Sequence, residues 1–129
     1  MLDTNVCIFV MKGLGRTLES RFDAEADRLC ISTITLAELM HGVEKSAARD
    51  RNRRALEAFV ERLSVLSFGA GAAASYGELR ADLERRGSVI GPYDMMIAAH
   101  AQSLSLVVVT NNRREFDRVR GLAVEDWVG

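Results

Sequence analysis

Apolar residues recur along this chain in two rhythms. Short continuous runs predict buried parallel strands, and runs spaced i, i+3, i+4, i+7 predict helices with one packed face. The strand runs are Arg28 to Ser32, around Leu29-Cys30-Ile31, then Val65 to Phe68, then Leu106 to Val109, the clearest of all, and a last edge strand near Leu122 to Val124. Met1-Leu2 reads as the tail of another strand, because Asp3-Thr4 can cap a helix starting near Asn5. That strand is very short unless the start lies inside the natural reading frame.

Between the strands lie the helical runs. Val6 to Met11 stops at Gly13, and Arg16 to Phe22 follows. Ser32 or Thr33 caps a helix with the apolar stripe Leu36, Leu39, Met40 and Val43, and Glu38 falls off that stripe beside Thr35, His41 and Gly42. Ala47 to Leu63 is amphipathic through Leu56, Phe59, Val60 and Leu63, and the helix after Gly69-Ala70-Gly71 carries Tyr76, Leu79 and Leu83 before ending at Arg86-Gly87. Gly91-Pro92 opens a helix whose Met95 to Ala99 segment is apolar on every face, which predicts a central, buried position. A short helix through Phe116 precedes the last strand. Strands alternating with helices predict an α/β fold: one domain over residues 1–129, with a mostly parallel central sheet and helices on both faces.

Composition changes this picture in a few respects. At 129 residues, 48% hydrophobic and 27% charged, the chain is long and apolar enough for an ordinary core, which excludes a disordered class. No apolar run approaches the roughly 18 residues of a membrane span, and the first dozen residues lack a secretory signal pattern, so the chain reads as cytoplasmic. Cys7 and Cys30 lack metal-ligand spacing and read as buried thiols in a reducing compartment. A net charge of −1 supplies no global attraction for nucleic acid. Arginine nevertheless dominates the basic residues, with Lys12 and Lys45 the only lysines. It clusters at 49–54, 80–86 and 113–120, and its forked donors suit phosphate.

Functional groups in open parallel sheets gather at the carboxyl ends of the strands. Asp3 ends the first strand, Thr110-Asn111-Asn112 follow the strongest one, and Glu38 lies early in a helix that starts at that edge. Asp94 is in the first turn of a helix leading into the Val107 strand, which on this reading starts at the opposite edge unless it packs steeply. Carboxylates gathered together repel, by roughly 4 kcal/mol per pair at 4 Å and an effective dielectric of about 20. A hard divalent cation, Mg²⁺ or Mn²⁺, resolves such a conflict and can activate water against a phosphodiester. Each residue also has a simpler role: Asp3 as a helix cap, Asp94 as a first-turn acid, Glu38 as a solvated side chain, Asn111-Asn112 as a turn. Spacing alone leaves both readings open.

Four motifs in order carry a resemblance. Leu2-Asp3-Thr4-Asn5, Ser32 through Leu39 with His41-Gly42 and Glu44-Lys45-Ser46, Gly91-Pro92-Tyr93-Asp94, and Val107 through Asn112 with Arg114-Glu115-Phe116 resemble the PIN domain of VapC-type toxins, as does Glu125-Asp126-Trp127 near the end. The resemblance implies a PIN-like fold that brings Asp94 to the other acids. It implies Asp3, Glu38 and Asp94 as ligands for Mg²⁺, with Mn²⁺ as the alternative. Asn112 stands at the usual fourth acidic position, which favours one metal over two, with Glu115 or Asp117 available as substitutes and Thr4, Asn5 and Thr110 in support. It further implies a ribonuclease toxin acting on tRNA, including the initiator's anticodon loop. Its partner is a cognate VapB-type antitoxin that covers the acidic pocket and carries operator DNA binding, in a hetero-oligomer built on a toxin homodimer. The alternatives are a catalytically silent PIN domain that binds RNA or a protein, and a receiver-like phosphotransfer domain, for which Lys12 and Lys45 are poorly placed.

Overall fold

The structure is a computed structural model, and it describes residues 1–127; Val128 and Gly129, the last two residues of the expected domain, lie outside them. The chain runs α1 (Thr4–Met11), α2 (Arg16–Glu25), a 3₁₀ turn (Ala26–Arg28), β1 (Cys30–Ser32), α3 (Thr33–Glu44), α4 (Arg49–Val60), β2 (Ser64–Leu66), α5 (Ala70–Arg85), α6 (Pro92–Ser103), β3 (Val108–Val109), α7 (Arg113–Phe116) and β4 (Val124–Glu125). β1 pairs with β2, and β3 with β4, both in parallel. The N-terminal segment joins the two halves. Leu2 N donates to Cys30 O (2.9 Å) on one side, and on the other Val109 N donates to Met1 O (2.9 Å) while Asp3 N donates to Val109 O (3.0 Å). The expected first strand is therefore present as a parallel bridge between Leu2 and Val109, in a ladder ordered β2, β1, N-terminus, β3, β4.

Successive residues of a strand face opposite sides, and the core divides accordingly. Met1, Cys30 and Val108 pack with Leu79, Leu83, Ile97 and Phe116 on the face covered by α5, α6 and α7. Leu2, Ile31 and Val109 pack with Val6, Phe22, Leu39 and Phe59 on the face covered by α1 to α4. The α/β arrangement with helices on both faces agrees with the sequence pattern. α6 is buried along most of its length, from Met95 through Ala101, as its all-round apolar composition predicts. His100 within it is buried, meets Ser32 Oγ through Nδ1 at 2.8 Å and stands edge-on to Phe68. Burial pushes its imidazole below the usual histidine range, so it is a structural tie between α6 and β1.

Helix ends follow the sequence signals. Ser32 Oγ accepts from Ile34 N (3.0 Å) at the start of α3. Gly13, at φ +68°, closes α1 with bonds from Gly13 N to Val10 O and Leu14 N to Phe9 O, a pairing that needs a left-handed residue after the cap.

Strands are shorter than their apolar runs because neighbouring backbone is already engaged. Phe68 N donates to Thr33 Oγ1, which ends β2 before Phe68, and Leu106 N returns to Ala101 O, which delays β3. Leu122 N bonds Val119 O, so β4 starts at Val124 rather than Leu122. α4 spans Arg49–Val60 rather than Ala47 to Leu63. Met40, read as part of the α3 core stripe, is 51% exposed; it lines an open groove between α3 and α4 instead of the core. Cys7 and Cys30 are buried free thiols, and burial raises the Cys7 thiol far above its usual range. Among the described residues no helix is long and apolar enough to cross a membrane.

Leu83 is fully buried in α5, whereas Leu104 is 49% exposed. Leu83→Ala should cost about 2–5 kcal/mol by denaturant unfolding, while Leu104→Ala should stay within about 0.5 kcal/mol.

Candidate active site

Asp3 leaves the N-terminal bridge at the carboxyl end of the sheet, and it is only 2% exposed. Its two oxygens have separate duties. Oδ1 accepts from Val6 N (2.9 Å), capping α1, and Oδ2 accepts a short hydrogen bond from the Thr110 hydroxyl at the end of β3. The cap role expected from sequence is therefore present, and it leaves the candidate site role of the same side chain open to Oδ2. Burial raises its carboxyl pKa, the Thr110 and Val6 donors oppose that rise, and the charges of Glu38 and Asp126 add to it.

Glu38 projects from α3, half-buried, and its Oε1 accepts from Thr4 Oγ1 at 2.6 Å. The hydroxyl of Thr4, from the first turn of α1, therefore sets the carboxylate of Glu38.

Asp94 lies in the first turn of α6, and it lines the same cleft as Thr4, Asn5, Glu38, Gly91, Pro92 and Tyr93, a space of about 220 Å³. The opposite-edge placement argued from α6 leading into β3 is overturned. A helix that delivers the chain to the amino end of a parallel strand starts at that strand's carboxyl end, which is where Asp94 stands.

Burial pushes the Asp94 carboxyl up to about 8, and a hydrogen bond with Glu115 and the charges of Glu115, Asp3 and Glu38 add to the rise. Two carboxyl groups can hydrogen-bond only when one holds a proton, and here the raised Asp94 carboxyl is the one that holds it. Asn112 Nδ2 donates to Glu115 Oε2 (3.2 Å), and Asn112 N donates to Thr110 Oγ1 (2.8 Å). Asn112 thus orients Glu115, and it is Glu115 that brings a fourth acid against Asp94. Asp117, the other substitute named from sequence, is exposed and paired with Arg113. Gly91 belongs to this geometry: a Cβ there would lie 3.6 Å from Asp94 Oδ2 and 3.9 Å from Glu115 Oε2.

The fold brings together Asp3, Glu38, Asp94 and Glu115, with Asn112 behind. Sequence motifs drew attention to Asp126 only as part of a resemblance; it follows β4 and its charge reaches Asp3. The signal was its register, since Thr110 N pairs with Glu125 O at the same edge as Asp3. Among the described residues no three His, Cys, Asp or Glu side chains already stand grouped as a cation cage; Thr4, Thr110 and Glu115 each hold one acid. Larger grooves along α3 and α4 are mainly apolar; the first is edged by Glu44, Glu57 and Glu61, of which Glu44 is paired with Arg49 and Arg53. No arginine is among the residues lining the acidic cleft.

A family model for the PIN domain matches residues 1–122. The chain belongs to the PIN-domain family. Its full-length similarity is to the VapC branch: it is 52% identical over 127 residues to the tRNA(fMet)-specific endonuclease VapC of Salmonella typhimurium, covering 98% of this chain and 96% of that one. It is 45% identical over 128 residues to the ribonuclease VapC of Haemophilus influenzae, covering 99% and 97%. The crystal structure of DNA-bound VapBC from Salmonella typhimurium superposes with a TM-score of 0.95 over 98% of this chain and 96% of that one, at 52% identity. The PIN fold accounts for the carboxyl-edge convergence of acids carried by separate elements.

Asp94 keeps its proton to about pH 8 in the folded protein and loses it near 3.8 when unfolded, so the folded state binds the extra proton across that window and stability falls as pH rises through it. In chelator, the melting temperature should drop between pH 5 and pH 8. Asp94→Asn should remove most of that drop and melt higher than the parent at pH 8, by at least about 3 °C.

Proposed function

We propose that this PIN domain is a divalent-cation-dependent endoribonuclease that cuts a transfer RNA, the initiator tRNA(fMet) first among them, and serves in the cytoplasm as the toxin of a VapB-paired system. The observation that carries the reading is the gathering of Asp3, Glu38, Asp94 and Glu115 at one sheet edge, with Asp94 held protonated to about pH 8 by burial and by the neighbouring carboxylates. Hard oxygen donors without imidazole or thiolate suit Mg²⁺ or Mn²⁺. Asp3, Glu38 and Asp94 are the residues that would hold the ion, and Glu115 completes the set in place of an acid at Asn112. When bound, the ion supplies Lewis-acid stabilisation of charge on the attacked phosphodiester and makes water acidic enough to attack it.

The chain's own residues prepare this site. The hydroxyls of Thr110 and Thr4 hold Asp3 and Glu38 in fixed orientation, and Asn112 does the same for Glu115. With Asp3 capping α1 through Val6 N, the position of this acid is tied to the helix start rather than to a mobile loop. Specificity for a transfer RNA rests on the relatives named for tRNA(fMet), and Asn5 and Tyr93 line the cleft beside Glu38 and Asp94, where unpaired nucleotides would meet them. The antitoxin reading has a structural counterpart. An apolar groove of about 410 Å³, lined in part by Ile8, Met11, Leu39 and Ala55, reaches Glu38, so a segment lying along it arrives at the acids. Solved relatives are VapBC complexes, which supports a VapB-type partner for this chain.

Purified protein should cut an initiator tRNA transcript in Mg²⁺ or Mn²⁺ and stop in chelator. Thr110→Val should lower the rate about 10–100-fold by loosening Asp3, and Asp94→Asn should lower it further. If wild type and Asp94→Asn both bind the transcript and both leave it whole, the chain is a silent PIN domain.

A further inference from the structure

Among the described residues, six large apolar side chains are exposed: Leu14, Met40, Val89, Tyr93, Leu104 and Val107. Tyr93 differs from the other five in two respects. It is the one aromatic ring among them, and it alone lines the acidic cleft, next to Asp94 and across from Thr4, Asn5 and Glu38. At 55% exposure it forgoes much of the burial a tyrosine ring offers a core. Nor is it held by its neighbours: it has no ring stack and no side-chain hydrogen bond with the described residues. The other tyrosine, Tyr76, is engaged, accepting from Arg80 at 2.8 Å beneath that guanidinium. The backbone under Tyr93 is firm, because Pro92 occupies the first helical turn and Met95 and Ile97 through Ala101 are buried. The ring is thus a free aromatic face on a rigid mount, one residue from an acid of the cleft.

We propose that Tyr93 is a positioning residue for the RNA, stacking on an unpaired base next to the scissile phosphate; this rests on the ribonuclease reading above. Stacking suits the location. No arginine lines the cleft, and its acids repel phosphate until a cation enters, so the backbone alone supplies little grip there. A base face carries no charge and is attracted to an aromatic ring whatever its sequence, a contact that alanine substitution of the ring weakens by about 10-fold or more per base. Fixing one base fixes the adjoining phosphodiester against Asp94 and its partners, and it requires that the base be splayed out of a helix. A single-stranded loop meets that requirement, and a duplex does not.

The test uses the full chain, Tyr93→Ala, Tyr93→Leu and Tyr93→Phe, with an initiator tRNA transcript as probe. Binding is measured in chelator and cleavage in Mg²⁺. Tyr93→Ala and Tyr93→Leu should each weaken binding about 10-fold or more and raise KM more than they lower kcat, at unchanged melting temperature. Tyr93→Phe should recover most of the lost affinity, since the ring and not the hydroxyl makes the stack. Replacing the flanking loop nucleotide by an abasic one should cost wild type a similar factor and cost Tyr93→Ala little more. The proposal is overturned if Tyr93→Leu binds like wild type, if Tyr93→Phe behaves like Tyr93→Ala, or if the abasic and alanine losses simply add. It is equally overturned if Tyr93→Ala leaves RNA binding intact and weakens only association with the antitoxin. Failure of wild type to cut, with binding that still depends on the Tyr93 ring, removes the nuclease reading and leaves the stacking contact standing. Wild type that neither binds nor cuts the transcript removes both.

Discussion

The backbone hydrogen bonds of Leu2 and Asp3 hold the two halves of the sheet in one ladder, and the site inherits its position from them. Leu2 N reaches Cys30 O on one side, and Asp3 N reaches Val109 O on the other. The period of a strand is two, so this register sends Met1 into the core under α5 and α6 and Leu2 into the core under α1 to α4. Asp3 then emerges at the carboxyl edge, level with Thr110. A slip of one residue would exchange the two cores' side chains and carry Asp3 away from its hydroxyl donor. Core packing and carboxylate placement are therefore the same constraint.

Electrostatics divides the site into a satisfied half and a strained half. Asp3 is buried but receives Val6 N–H and Thr110 O–H, and Glu38 receives Thr4 O–H. Asp94 has instead a second carboxyl, Glu115, as its partner, and its proton is retained to about pH 8. A fold that sought only stability would place an amide or an apolar residue there. Perturbed carboxyls of this kind, in an otherwise consistent structure, concentrate at functional sites, which makes this edge the candidate. Asn112 fits the same logic, since its amide supports Glu115 without adding another charge to the cluster.

The surface around the acids is uneven in character. Apolar grooves run along α1, α3 and α4, with Glu38 where one of them meets the acidic cleft, while Tyr93 stands free on the α6 side. The arginines that dominate the basic composition are largely spent elsewhere. Arg49 and Arg53 pair with Glu44, Arg62 with Asp23 while lying over Phe22, and Arg86 with Asp82 and the Arg118 carbonyl. Exposed pairs of this sort add little stability, and their presence in forked residues does not mark a phosphate site.

Period and punctuation in the chain were enough for the α/β class, the buried character of α6, a cap at Ser32 or Thr33 and the turn at Gly13, because those features depend on residues close in sequence. Motif order was enough to single out Asp3, Glu38 and Asp94. Strand limits were not legible, since Phe68, Leu106 and Leu122 are withdrawn from the ladder by distant or turn hydrogen bonds that apolar runs do not encode. Nor was the choice between Asn112, Glu115 and Asp117, which depends on which carboxyl meets Asp94 after α6 and α7 have packed. The edge occupied by Asp94 is likewise a matter of how a helix crosses back over a parallel sheet. Side-chain periodicity is a local property and can be read along the chain; the approach of one carboxylate to another across some twenty residues and two helices exists only once the chain is folded.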